Sequence, residues 1–340
     1  MAKTYKNLYS HIADFENLHA AYLKARRNKR FKPDVLRFSA NLEANLVALR
    51  EELLDKTYCT GEYYVFEVYE PKKRIVAALP FRDRVVHHAI CNVIEPIWEA
   101  RFIHDSYACR VGKGTHAGAD RVTEFLRRAK REWEEVYVLK LDIKGYFPSV
   151  DHGVLLGLLE RRIACKDTRR LIRGIVESWP VDGGEKGIPI GNLTSQLFAN
   201  VYLHEMDKFV KHELRARFWV RYMDDAVIIH GDKAWLTETK LQLAGFLAKC
   251  LALTLNSKTN IFPLAQGINF LGYRIWPTHR LLRKSSAKRM RRRLKRFKRG
   301  YSKGNIGLDH INASIQSWLG HCRHADTYKL RCKLFAGFTL

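Results

Sequence analysis

The chain has 340 residues, 46% of them hydrophobic, which is enough to bury a core spread over two or three lobes and too much for a disordered chain. Sixty Lys and Arg against thirty-five Asp and Glu leave a formal charge of +25, which points to a polyanion, nucleic acid first, as the partner. No apolar run reaches the roughly 18 residues of a membrane span, residues 1–30 lack a signal-peptide pattern, and seven scattered cysteines without a Cys-x-x-Cys pair argue against a disulfide framework or a cysteine-rich zinc site; a cytoplasmic chain with reduced, mostly buried thiols and no membrane contact is expected.

In chain order, Ile12, Phe15, Leu18 and Tyr22 fall at helical spacing and are followed by a basic end, Arg26, Arg27, Lys29 and Arg30. Leu42, Leu46, Leu49 and Leu53 predict a second helix, capped by Ser39 or Asn41. Residues 63–69 and 75–79 read as the strands of a hairpin with a basic tip at 71–74. Helical spacing returns over 83–100, and 106–117 is a polar loop carrying Arg110 and Lys113. Val136, Val138, Leu139 and Leu141 predict a buried strand that stops at Asp142, with helices following over about 152–163 and 167–178. Four glycines and a proline make 183–191 irregular before a helix at 194–214. Two short apolar strands, 218–222 and 226–230, flank Met223-Asp224-Asp225 as a hairpin. A helix over 233–250 and strands at 253–255 and 269–276 come next. The stretch 280–299 holds twelve Lys or Arg and no acid, yet Met290, Leu294 and Phe297 keep an apolar stripe, so a docked basic helix is expected.

Paired acids on a tight hairpin repel one another unless a cation neutralises them, and hard carboxylate oxygens suit Mg²⁺. An Asp-Asp pair alone is more often a solvated turn. Here the pair lies between apolar strands, and Asp142 closes another apolar strand, so two central strands are expected to converge their carboxylates. Two divalent ions on such acids suit in-line phosphoryl displacement. In a chain that seeks nucleic acid, that chemistry is nucleotidyl transfer.

The order Leu141-Asp142-Ile143-Lys144-Gly145-Tyr146-Phe147, Gly187-Ile188-Pro189-Ile190-Gly191, Tyr222-Met223-Asp224-Asp225, Asn256-Ser257-Lys258-Thr259 and Phe270-Leu271-Gly272-Tyr273 resembles the ordered motif set of reverse transcriptases. Within that superfamily, Ile190-Gly191-Asn192-Leu193-Thr194-Ser195-Gln196 resembles the form found in diversity-generating retroelements, as do residues 107–116 and 267–276. The resemblance implies an α+β right-hand polymerase: an N-terminal helical extension (1–35), fingers (36–134), a palm with an antiparallel ferredoxin-like sheet (135–277) and a small helical thumb (278–340).

It implies two Mg²⁺ ions, with Mn²⁺ an acceptable substitute, held by Asp142, Asp224 and the Ile143 carbonyl, with Asp225 a weaker ligand. Phe147 matches the residue that excludes a 2′-hydroxyl, Ile190 the position facing the incoming nucleotide beside Gly191 and Gln196, and Lys258 a lysine that protonates departing pyrophosphate. Lys73, Arg74 and Arg82 are expected on the triphosphate, and Arg110, Lys113, Arg283, Lys284, Lys288 and Arg292 on template and primer. The product implied is error-prone, adenine-mutagenised cDNA from a template-repeat RNA, assisted by a small basic oligomeric accessory protein. No ribonuclease H, endonuclease or long maturase segment is expected after Leu340. The alternatives are a group II intron or retron type enzyme, and a non-catalytic RNA-binding scaffold. Neither His87-His88 with Cys91 nor His321-Cys322 with His324 has a second ligand pair at zinc-finger spacing.

Overall fold

The computed structural model describes residues 3–69, 73–179 and 184–340. Pro71 and Lys72 of the expected hairpin tip, and Gly183 of the glycine-rich stretch, lie outside them. In chain order the elements are α1 (Leu8–Ile12), α2 (Phe15–Ala25), α3 (Pro33–Ala40), α4 (Leu42–Leu54), β1 (Tyr64–Tyr69), β2 (Lys73–Ala78), α5 (Phe81–Glu99), α6 (Thr115–Glu132), β3 (Tyr137–Asp142), α7 (Tyr146–Ser149), α8 (His152–Glu160), α9 (Lys166–Glu177) and α10 (Leu193–Lys208). There follow a π-helical turn (Phe209–Glu213), β4 (Phe218–Tyr222), β5 (Asp225–His230), α11 (Lys233–Leu251), β6 (Asn260–Pro263), β7 (Ile268–Phe270), β8 (Tyr273–Ile275), β9 (Arg280–Leu282), α12 (Lys284–Ser302), α13 (Leu308–Cys322) and α14 (Tyr328–Phe335). Side-chain caps start α2, α8 and α11: Asp14 accepts the Asn17 N–H at 3.3 Å, Asp151 the Val154 N–H at 3.0 Å and Asp232 the Trp235 N–H at 3.2 Å.

Several expectations need correction. No strand forms at 253–255: Ala252 ends α11 in the left-handed region (φ +49), the Leu253 N–H folds back onto the Leu247 carbonyl at 3.0 Å, and an isolated bridge pairs Leu255 with Ile143. The single strand over 269–276 is two, β7 and β8, because Leu271 and Gly272 at φ +51 and +88 reverse the chain between them. The basic helix begins at Lys284 because Arg280–Leu282 pair with β8 as β9. Cys59, Cys109, Cys250 and Cys332 are exposed, since they fall in loops or on the outer faces of helices; Cys91 and Cys322 are buried.

The chain divides into two compact units, each discontinuous in sequence. The first comprises Met1–His104, Ile143–Arg215 and Gln242–Ser257. Its axis is α5, whose Val85, Val86, Ala89, Ile90 and Ile94 are fully buried against α2 and α10. Its hairpin of β1 and β2 pairs Tyr64 with Ala78 through Tyr69 with Lys73.

The second unit comprises Asp105–Asp142, Ala216–Leu241 and Lys258–Leu340. It carries an antiparallel sheet in the order β4-β5-β3-β6 and a smaller one, β7-β8-β9. Alternation along the strands sends Val138, Val220, Val227 and Ile229 to one face, where Val122, Phe125 and Leu126 of α6 and Met290, Leu294 and Phe297 of α12 complete a single core. The expected apolar stripe of the basic helix is thus buried in that core.

Candidate active site

Asp142 closes β3 and Asp225 opens β5, and the two stand directly opposite in the ladder. Opposed residues on antiparallel strands project from the same face, with Cβ atoms about 4.5–5.5 Å apart. On the other side of Asp225 its partner is Tyr222 of β4, and Met223 and Asp224 form the two-residue turn between them, Met223 at φ +56. Arg221, fully buried, donates to the Met223 carbonyl at 3.2 Å, and its own N–H donates to the Asp105 carbonyl at 2.9 Å. The turn bearing Asp224 is therefore braced from beneath. Asp142 is fixed from the other side: the buried Thr259 hydroxyl accepts its N–H and donates to its carbonyl, both at 3.2 Å.

Charge on this face is uneven. Burial holds the Asp225 carboxyl above its ordinary range, the Lys140 ammonium at 3.3 Å opposes that rise, and Asp224 adds to it. Among the described residues no group of three or more His, Cys, Asp and Glu is gathered closely enough to hold a metal ion. The ends of β3 and β5 meet in register, and Asp225 pairs with Lys140. The donor set is all hard oxygen, and Asp142 and Asp225 share one face, so these residues are of the kind that would suit a divalent ion.

The remaining candidates of the second unit are surface cations. Lys258, Lys284, Lys288 and Arg292 are exposed, and Arg283 is half-buried, its N–H donating to the Gly272 carbonyl at 3.1 Å. Arg110 donates to the Ser106 carbonyl at 2.8 Å, and Lys113 lies 5.0 Å from the centre of the Tyr107 ring.

The first unit gathers most of the residues expected at the nucleotide. The Phe147 carbonyl accepts the Ile188 N–H at 3.0 Å and the Ile190 carbonyl accepts the Ala77 N–H at 2.9 Å, so Phe147 is tied to the 187–191 stretch and that stretch to β2. Gly191 sits at φ +135 with the Ala77 carbonyl where a Cβ would go, which is why glycine stands there. Phe147 is half-buried, edge-on to Tyr146 with ring centres 5.6 Å apart, and Gln196 is half-buried on α10. Ile143 is buried. The clamp candidates differ: Arg82 is ion-paired with Glu52 and lies over the Tyr58 ring, Lys73 pairs with Glu67 at 2.6 Å, and Arg74 is exposed on β2. His87 is buried with Thr194 Oγ1 at 2.9 Å from its Nδ1.

Lys140, Arg221 and Thr259 were absent from the candidates read from the sequence. The available signal was a charged residue at a buried register of an apolar strand, which Arg221 and Lys140 both show.

A family model described as reverse transcriptase (RNA-dependent DNA polymerase) matches residues 69–275. Protein YkfC of Escherichia coli is 30% identical over 292 residues, covering 73% of this chain and 74% of YkfC. The group II intron-encoded protein LtrA of Lactococcus lactis subsp. cremoris is 30% identical over 185 residues, 52% of this chain and 30% of LtrA. The apo telomerase of Candida tropicalis, truncated from its C-terminal domain, superposes with a TM-score of 0.52 at 13% identity, covering 67% of this chain and 55% of that one. That likeness establishes a right-hand polymerase fold for the chain, mixed helix and antiparallel sheet as expected.

Proposed function

The chain belongs to the reverse transcriptase family and is an RNA-directed DNA polymerase, and we propose that it extends a primer with Asp142 and Asp224 as the principal holders of two divalent ions. The observation that carries this reading is the cross-strand register of Asp142 with Asp225, one residue after Asp224 in a braced turn. The reaction joins the primer 3′-oxygen to the α-phosphorus of a deoxynucleotide and releases pyrophosphate. Asp142 and Asp224 would hold Mg²⁺, or Mn²⁺ in its place, which when bound would supply activation of the attacking hydroxyl and offset of charge on the leaving oxygen.

The chain's other groups take the following roles in this reading. Asp225 is an intermittent ligand, Ile143 offers its carbonyl, and Thr259 and Arg221 keep the carboxylates in place. Phe147 excludes a 2′-hydroxyl, and Ile190, Gly191 and Gln196 line the nucleotide's path. Lys258 protonates pyrophosphate. Arg74 is the favoured triphosphate contact, since Lys73 and Arg82 already engage carboxylates. Arg110, Lys113, Arg283, Lys284, Lys288 and Arg292 hold template and primer phosphates. The division into extension (1–35), fingers (36–134), palm (135–277) and thumb (278–340) belongs to the same proposal.

The subgroup reading shifts with the relatives. LtrA is named as a group II intron-encoded protein, and the intron-type alternative is the one its similarity favours over the diversity-generating form. The second reading rests on the resemblance of Ile190-Gly191-Asn192-Leu193-Thr194-Ser195-Gln196 and of residues 107–116 and 267–276, and brings with it the template-repeat RNA and the accessory protein.

Primer extension on an RNA template tests the main claim: wild type makes DNA only with a divalent ion present, and Asp224→Ala falls to background. Metal-independent synthesis, or an active Asp224→Ala, would overturn it. Sequencing the cDNA separates the subgroups. Errors concentrated opposite template adenine, and reduced by Ile190→Gln, support the diversity-generating form; an even, low error rate that Ile190→Gln leaves alone supports the intron type.

A further inference from the structure

We propose that Lys140 is a resident counter-ion that competes with divalent cations for Asp225 and so keeps it an intermittent ligand, with Asp142 and Asp224 the working ligands. The inference rests on the reading that these acids hold divalent ions.

Geometry carries the case. Lys140 lies two residues before Asp142 on β3 and therefore on the same face, opposite Val227 and diagonal to Asp225. Its ammonium is 3.3 Å from Asp225 Oδ1, and the two side chains are only 24% and 29% exposed. That oxygen is shielded from solvent and accepts no well-formed hydrogen bond among the described residues, so the ammonium beside it, with a smaller contribution from the Arg283 guanidinium, offsets its charge. The lysine has little reason to leave. It lines a cavity of about 520 Å³ together with Arg274, Arg283 and Lys284, and no carboxylate is among that cavity's lining residues.

Three ionised carboxylates at one strand end would bind a divalent ion tightly and release it slowly. With Lys140 in place the Asp225 charge is already matched, and partly dehydrated neighbours feel each other strongly. The site then keeps a cation affinity suited to exchange at each cycle. Lys140 is a positioning residue in this scheme: it acts through Asp225 and touches no reacting atom.

Mn²⁺ titrations of the full chain, followed by the electron paramagnetic resonance of free Mn²⁺ without nucleotide or nucleic acid, test the idea. Lys140→Met should tighten Mn²⁺ binding by about threefold or more, while Lys140→Arg, which keeps the charge, should bind as wild type does. In an Asp225→Asn background the Lys140→Met effect should shrink to the small part that comes from direct repulsion between the ammonium and the ion, because the carboxylate it frees is gone. Circular dichroism melts of every variant confirm that each is folded, and Lys140→Gln, which also removes the charge, carries the comparison if Lys140→Met is not. Unchanged or weaker binding in the folded neutral variant, a Lys140→Arg that departs from wild type, or an effect undiminished with Asp225→Asn would each overturn the proposal. Wild-type binding that Asp142→Asn does not weaken would instead sink the metal reading itself, and this inference with it.

Discussion

Thr259 shows how much of a catalytic geometry can depend on one hydroxyl. It closes both backbone hydrogen-bonding groups of Asp142 at once, and no carboxylate can be aimed reliably from a strand end that frays. Thr259→Val keeps the shape and strands those groups, so we expect a loss of about 1–3 kcal/mol in urea unfolding, together with a fall in kcat at nearly constant KM for the nucleotide. The acids themselves were readable from the sequence, because Asp between apolar strands breaks the alternation that packing would select. Thr259 and Arg221 were not. Their partners, Asp142 and Asp105, lie 117 residues away in one case and across an irregular connection in the other, and register between distant strands has no local signature.

At the scale of elements, legibility followed length. α5, α11 and α12, each of 19 residues, give the apolar repeat several turns in which to show itself. β7, β8 and β9 have three residues apiece, too few for an alternation to be distinguished from chance, and two of them were read as one strand. α6 was passed over although Val122, Phe125, Leu126 and Ala129 form a clear stripe, because its polar leading turn continues the character of the loop before it. α12 divides its labour between two faces. Phe297→Ala should cost about 3–5 kcal/mol by opening a cavity in the core. Lys288→Ala with Arg292→Ala should leave the melting temperature within a degree or two and lower the slope of log affinity for an RNA–DNA duplex against log salt by up to about two.

For the molecule as a whole, an excess of cations sets the partner and buried histidines set the working range. Burial pushes His87 down to about 3 and His88 down to about 4, from an ordinary 6.5. Above 6.5 both are neutral whether the chain is folded or not, so their contribution is intact. As pH falls below 6.5 the unfolded chain takes up protons that the folded one refuses, and stability declines until the folded-state values are reached. Melting temperature should therefore drop steadily with acidification from that point, with a shallower slope in His87→Gln. Whole-molecule class was the most legible level of all, since charge, ordered motifs and the position of the acids agree with one another. The exposed thiols bear on how such a protein behaves in aerated buffer. Cys59 and Cys250 lie on one unit, Cys109 and Cys332 on the other, and in air a solution of this chain would cross-link into disulfide ladders while its core stayed intact. Reductant during purification is thus a condition for a homogeneous sample, and substitution of those four by serine offers a stock that tolerates its omission.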